Sequence, residues 1–109
     1  MKNTGNLNVL GDFTLQENIL IIHPNDGFDL GMMTTSYTVN ICRGVSVEEF
    51  KESSGEKLSG QIELKNECPT GTIEMGLKSW EKIGKPKYVK LYYEEPDLLI
   101  IRSEKQTGS

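Results

Sequence analysis

Apolar and polar residues alternate with period two in several short stretches of this chain. Tyr37, Val39 and Ile41 alternate with polar neighbours, and so do Ile62 with Leu64, Ile73 with Met75, and Val89 with Leu91 and Tyr93. That spacing puts one side of each segment against a core and predicts strands. Phe13 and Leu15 suggest another short strand, turned by Gln16-Glu17-Asn18 into the continuous apolar run Ile19 to Ile22. An unbroken run of this kind suits a strand covered on both faces, or one beside a partner chain. Leu98 to Ile101 predicts a last strand after the turn Glu95-Pro96-Asp97.

The period changes in two places. Leu77, Trp80 and Ile83 recur every three residues, which predicts a helix of about two turns. Gly84 stands where a left-handed terminating residue belongs, and Pro86 forbids continuation. Ser46 and Glu49 form a capping box, with Val45 and Phe50 as its hydrophobic staple, so a second short helix is expected over 47–53. His23-Pro24-Asn25-Asp26-Gly27 carries turn chemistry, and Cys68-Pro69-Thr70-Gly71 fits a type I turn.

These elements predict a mainly β fold with two short helices (α+β), built as a small antiparallel sheet or barrel. Residues 1–11 are expected as a flexible arm and 103–109 as a flexible tail, around one domain over 12–102. Within it, 12–58 is an acidic half, with a linker near 53–60. Residues 61–102 form a strand-strand-helix-strand-strand unit, two ribbons clasped around Trp80. Such a unit buries too little surface to stand alone. The N-terminal strands, or a second copy in a homodimer, must complete it.

With 109 residues, 36% hydrophobic and 26% charged, the chain is the size of one globular domain. No apolar run reaches the roughly 20 residues of a spanning helix, and no membrane association is expected. Met1 to Asn8 has no apolar leader segment. Cys42 and Cys68 lack metal-ligand spacing and are expected as reduced thiols in a cytoplasmic protein. His23 is the sole histidine, and no hydrolase, zincin or phosphate-loop motif occurs. Neither an enzyme active site, nor a metal, nor a cofactor is expected.

The net charge of −4 excludes a protein that coats nucleic acid through overall basicity. Charge is uneven, however. Residues 1–55 hold three Lys or Arg against seven Asp or Glu, while Lys78, Lys82, Lys85, Lys87 and Lys90 crowd into thirteen residues with one acid, Glu81.

The run from Gly71 to Gly84, with Lys85-Pro86-Lys87-Tyr88-Val89-Lys90-Leu91 and Leu98 to Arg102, resembles the AbrB/MazE-like swapped-hairpin domains. It is also similar to the C-terminal ends of small uncharacterised bacterial proteins. The first resemblance covers about residues 61–102. It implies an intertwined dimer that builds a small barrel, and DNA binding through basic residues.

Two functions follow as expectations. The first is a non-enzymatic module that binds an unidentified protein through Ile19, Ile21, Met32 and Met33. The alternative is an AbrB-like DNA-binding regulator or antitoxin contacting phosphates through Lys65, Lys78, Lys82, Lys85, Lys87 and Lys90. Phosphate contacts position a protein on DNA without reading its sequence.

Overall fold

The computed structural model describes residues 2–43 and 57–104. Its elements run β1 (Lys2–Asn3), β2 (Leu7–Asp12), β3 (Ile19–Ile22), α1 (Pro24–Asp29), β4 (Ser36–Arg43), β5 (Lys57–Leu64), β6 (Thr72–Gly76), α2 (Leu77–Lys82), β7 (Tyr88–Glu94) and β8 (Leu98–Glu104). The strands pair in the order β7-β2-β6-β3-β5-β4-β8, and β8 returns to β7. Seven strands thus close a barrel within one chain. Short β1 lies on the same edge of β7 as β2, further along.

Period-two side-chain geometry decides what fills the barrel. Leu7 on β2, Leu20 and Ile22 on β3, Val39 and Ile41 on β4, and Ile62 and Leu64 on β5 point inward. Ile73 and Met75 on β6, Val89, Leu91 and Tyr93 on β7, and Leu99 and Ile101 on β8 meet them. Leu30 and Met32, just past α1, plug one end. Trp80 and Ile83 in and after α2 close against the same core, and the Trp80 indole N–H donates to the Pro86 carbonyl at 2.8 Å. Gly84 has φ +88° and ends α2 in the left-handed region.

The alternating stretches of the sequence are strands, and α2 lies where its three-residue period put it. Several expectations need correction. The supposed arm over 1–11 supplies β1 and most of β2, with Leu7 in the core and the Thr4 amide donating to the Leu91 carbonyl at 3.0 Å. Phe13 and Leu15 belong to no strand, because the chain turns there to let α2 pack over Gly11. The turn expected at His23 to Gly27 is the start of α1: Pro24 takes the first helical position, and His23 Nδ1 accepts the Asn25 amide at 2.9 Å. The linker near 53–60 overlaps β5 from Lys57 onward.

The first ribbon is also different. β5 and β6 do not pair with each other, since β3 is inserted between them, parallel to β5 and antiparallel to β6. Of the two ribbons expected over 61–102, β7 with β8 is the one that forms. β8 extends to Glu104, into the expected tail. The helix expected over 47–53 lies outside the described residues.

Candidate functional site: an acidic groove beside an apolar cleft

Residues that face outward on neighbouring strands form lateral rows. Leu10 on β2 is level with Glu74 on β6, which is level with Ile21 on β3, then Glu63 on β5 and Ser36 on β4. Two carboxylates therefore flank an isoleucine across three adjacent strands, about 10 Å from first to last at the usual strand spacing. Ile21 faces away from the barrel interior yet is only 7% exposed.

The segment after β5 explains that cover. Cys68 is buried there, and its thiol lies 3.5 Å from the Thr72 carbonyl and 3.7 Å from the Ile21 carbonyl. A groove of about 820 Å³ runs between this segment and the strand wall. Glu63, Glu67 and Glu74 line it with one cation, Lys65, together with Gln61, Asn66, Thr35, Ser36, Leu64 and Ile21. Lys65 Nζ is 3.4 Å from Glu63, which leaves Glu67 and Glu74 in excess.

Burial pushes the Cys68 thiol up to about 11, and the negative charge of Glu74 adds to it. That is the reverse of an activated nucleophile. His23 Nδ1 is engaged as the cap of α1. Among the described residues, no group of three or more His, Cys, Asp or Glu is placed to share a metal ion.

A second cleft of about 380 Å³ shares Thr35, Leu64 and Asn66 with the groove. Pro24, Asn25, Phe28, Met32, Met33 and Thr34 complete its lining. Phe28 is 69% exposed and Met33 82% exposed. The Tyr37 phenol oxygen accepts the Met33 amide at 2.6 Å and the Thr34 amide at 3.3 Å, which fixes the 33–34 backbone beside the cleft. Those hydrogen bonds favour the phenolate and lower the Tyr37 pKa from its ordinary value.

The four apolar candidates separate. Ile21 floors the groove, and Ile19 is half-buried on the same outer face of β3, level with Gln61. Met33 stands at the surface, but Met32 is a core residue, 2% exposed. It plugs the barrel end and touches the cleft only from below.

The six lysines do not share one surface. Lys65 is on the groove, and Lys82 lies 3.0 Å from a Glu17 carboxylate oxygen. Lys78 is exposed on α2. Lys85 lies over the Trp80 ring at 5.9 Å and Lys87 over the Tyr88 ring at 5.6 Å. Lys90 faces outward on β7 between Tyr88 and Tyr92, directly opposite Arg102 on β8.

Sequence reasoning missed Phe28, the three groove carboxylates and Arg102. Phe28 had a signal: in a helix starting at Pro24, position i+4 falls on the same face. The carboxylates had none, because their convergence depends on which strands become neighbours. Comparison with protein-family models, with curated proteins and with solved structures finds no match to this chain.

Proposed function

We propose that this chain is a non-enzymatic protein-interaction module. Its acidic groove and the adjoining apolar cleft take a partner segment that carries both basic and apolar side chains. The observation that carries this reading is the continuity of the two concavities. Three carboxylates against one lysine line the first, and two large exposed apolar side chains, Phe28 and Met33, rim the second. Large exposed apolar groups beside polar ones mark interaction surfaces. Carboxylates at the rim steer a basic partner and add specificity.

The test is fluorescence anisotropy with a labelled peptide of alternating lysine and leucine. Binding is expected to weaken about tenfold or more in Glu63→Lys with Glu74→Lys, and likewise in Phe28→Asp with Met33→Asp. A glutamate-leucine peptide is expected not to bind. Equal binding of the two peptides would sink the proposal.

One observation favours the DNA-binding alternative. Lys90 and Arg102 oppose each other on the outer wall, with Tyr88 and Tyr92 beside them. The protein reading ranks first because Lys65 sits on the acidic groove, Lys82 is engaged with Glu17, and the chain is net negative. Duplex binding through about four phosphates would show a log–log salt slope near −3.6. A flat dependence eliminates it.

A further inference from the structure

Sulfur is distributed unevenly over this fold. Cys42 and Cys68 are fully buried, and so are Met32 at the barrel end and Met75 on β6. Met33 is 82% exposed. Among the described residues, its thioether is therefore the one sulfur open to solvent. A thiol that is buried and protonated, as Cys68 is, does not compete with it for an oxidant.

The backbone on both sides holds Met33 in place. Before it, the Met32 amide donates to the Gly27 carbonyl of α1 at 2.9 Å, and the Met32 side chain is anchored in the core. After it, the Thr34 hydroxyl donates to the Ser36 carbonyl at 3.1 Å. The Met33 and Thr34 amides both donate to the Tyr37 phenol oxygen. The exposed thioether is thus kept on the rim of the apolar cleft with Phe28, which belongs to α1.

We propose that Met33 is a reversible oxidation switch of the apolar cleft, with a peroxide as its oxidant. This rests on the cleft and groove being a protein-binding site, and it adds how that site is turned off. A lone pair on the Met33 sulfur attacks one peroxide oxygen. The O–O bond breaks, an S–O bond forms, and the second oxygen leaves as water. The sulfur loses two electrons and the peroxide gains them. In the reverse step two thiols supply two electrons and two protons through a methionine sulfoxide reductase. The S–O bond breaks, the oxygen leaves as water, and a disulfide forms between the thiols. A thioether adapts to an apolar partner side chain. A sulfoxide does not, because covering its oxygen with an apolar group leaves an acceptor without a hydrogen bond. The groove carboxylates are unchanged, so the preference for a basic partner persists while the affinity falls.

The test treats the folded full chain with hydrogen peroxide over a time course. Mass mapping is expected to find oxygen on Met33 before Met32, Met75 or either cysteine. Anisotropy with the labelled lysine-leucine peptide is expected to show binding weakened about tenfold in step with the fraction of Met33 oxidised. Methionine sulfoxide reductases of both epimer classes, with dithiothreitol, are expected to restore it. In Met33→Leu, peroxide is expected to leave the variant's own affinity where it started. Circular dichroism before and after treatment verifies the fold.

Unchanged peptide affinity after complete oxidation of Met33 overturns the switch and leaves the binding site standing. Oxidation that reaches a buried sulfur first also overturns it. So does a loss of affinity that persists in Met33→Leu, or one that does not track Met33 oxidation in the native chain. If the untreated native chain does not bind the peptide, the binding site itself falls, and the switch falls with it.

Discussion

Asp26 shows how one side chain ties two parts of this fold together. It is a buried carboxylate in the first turn of α1, and its Oδ2 accepts the Gly71 amide at 2.8 Å across the barrel end. Gly71 has φ +79°, a conformation that turns its amide toward Asp26 at no steric cost. Asp26→Ala is expected to cost about 1.5–3 kcal/mol, the worth of a hydrogen bond to a charged group, and urea unfolding would measure it. Cys68 gives a pH dependence. Burial holds its thiol neutral up to about 11, and burial likewise raises the Tyr93 phenol. In the unfolded chain a thiol ionises near about 8.5. Above that value the unfolded state has released a proton the folded state still holds, so stability falls as pH rises toward about 11. Tm is expected to decline over this range, with a shallower decline in Cys68→Ala. A Tm independent of pH there would contradict the assignment. Neither role is visible in the sequence: Asp26 reads as turn chemistry and Cys68 as a residue beside a proline, because both depend on contacts with distant segments.

At the scale of elements, local pattern was enough wherever an element's own residues decide its form. Val89, Leu91 and Tyr93 alternate because one side of β7 is core, and Gly84 ends α2 because it can take a left-handed φ. Pattern failed for β2, whose Gly11 and short polar flanks hide the alternation, and for α1. The same Pro-Asn-Asp-Gly letters serve a turn or a helix start. A helix of six residues cannot stand without tertiary support, and here Leu30 and Met32 fix its end in the core. Glycine at the end of β6 has an explicit reason. A Cβ on Gly76 would sit 2.7 Å from the Leu15 carbonyl oxygen and 3.0 Å from that of Gln16, both backbone. Gly76→Ala is therefore expected to destabilise by roughly 1–3 kcal/mol, measurable by thermal unfolding. The start of β4 predicts a local opening. The Asn40 amide points toward the β8 side and donates to the Asp97 carbonyl, and Thr38, two residues earlier, points the same way before β8 has begun. In hydrogen exchange Thr38 is expected to exchange far faster than Val39, whose amide faces β5. Comparable protection at the two positions would mean that another segment covers this edge.

For the whole molecule, the chain order of strands and their order around the barrel are interleaved. β2, β3 and β4 come from the N-terminal half, yet none of them pairs with another: β6 separates β2 from β3, and β5 separates β3 from β4. Each instead has a parallel partner from the C-terminal half, β6, β5 and β8 respectively. This explains why the charge asymmetry of the sequence did not survive as two halves of a molecule. Interleaving moved Glu63 and Glu74 to the wall around β3 and left Lys90 and Arg102 on the far one. No reading of local period can give this, since parallel partners are chosen by packing over long separations. It also makes a demanding prediction about folding. Cut within residues 44–56, the N-terminal piece contains four strands, β1 to β4, none of which pairs with another, and it is expected to lack β structure by circular dichroism. The C-terminal piece keeps one antiparallel pair, β7 with β8, and a lone two-stranded ribbon is marginal in water. Mixed together, the two pieces are expected to regain the barrel, with slow-exchanging amides on β3, β5 and β6. Independent folding of the N-terminal piece would show that β2, β3 and β4 can pair without the strands placed between them, and the interleaved order would have to be abandoned.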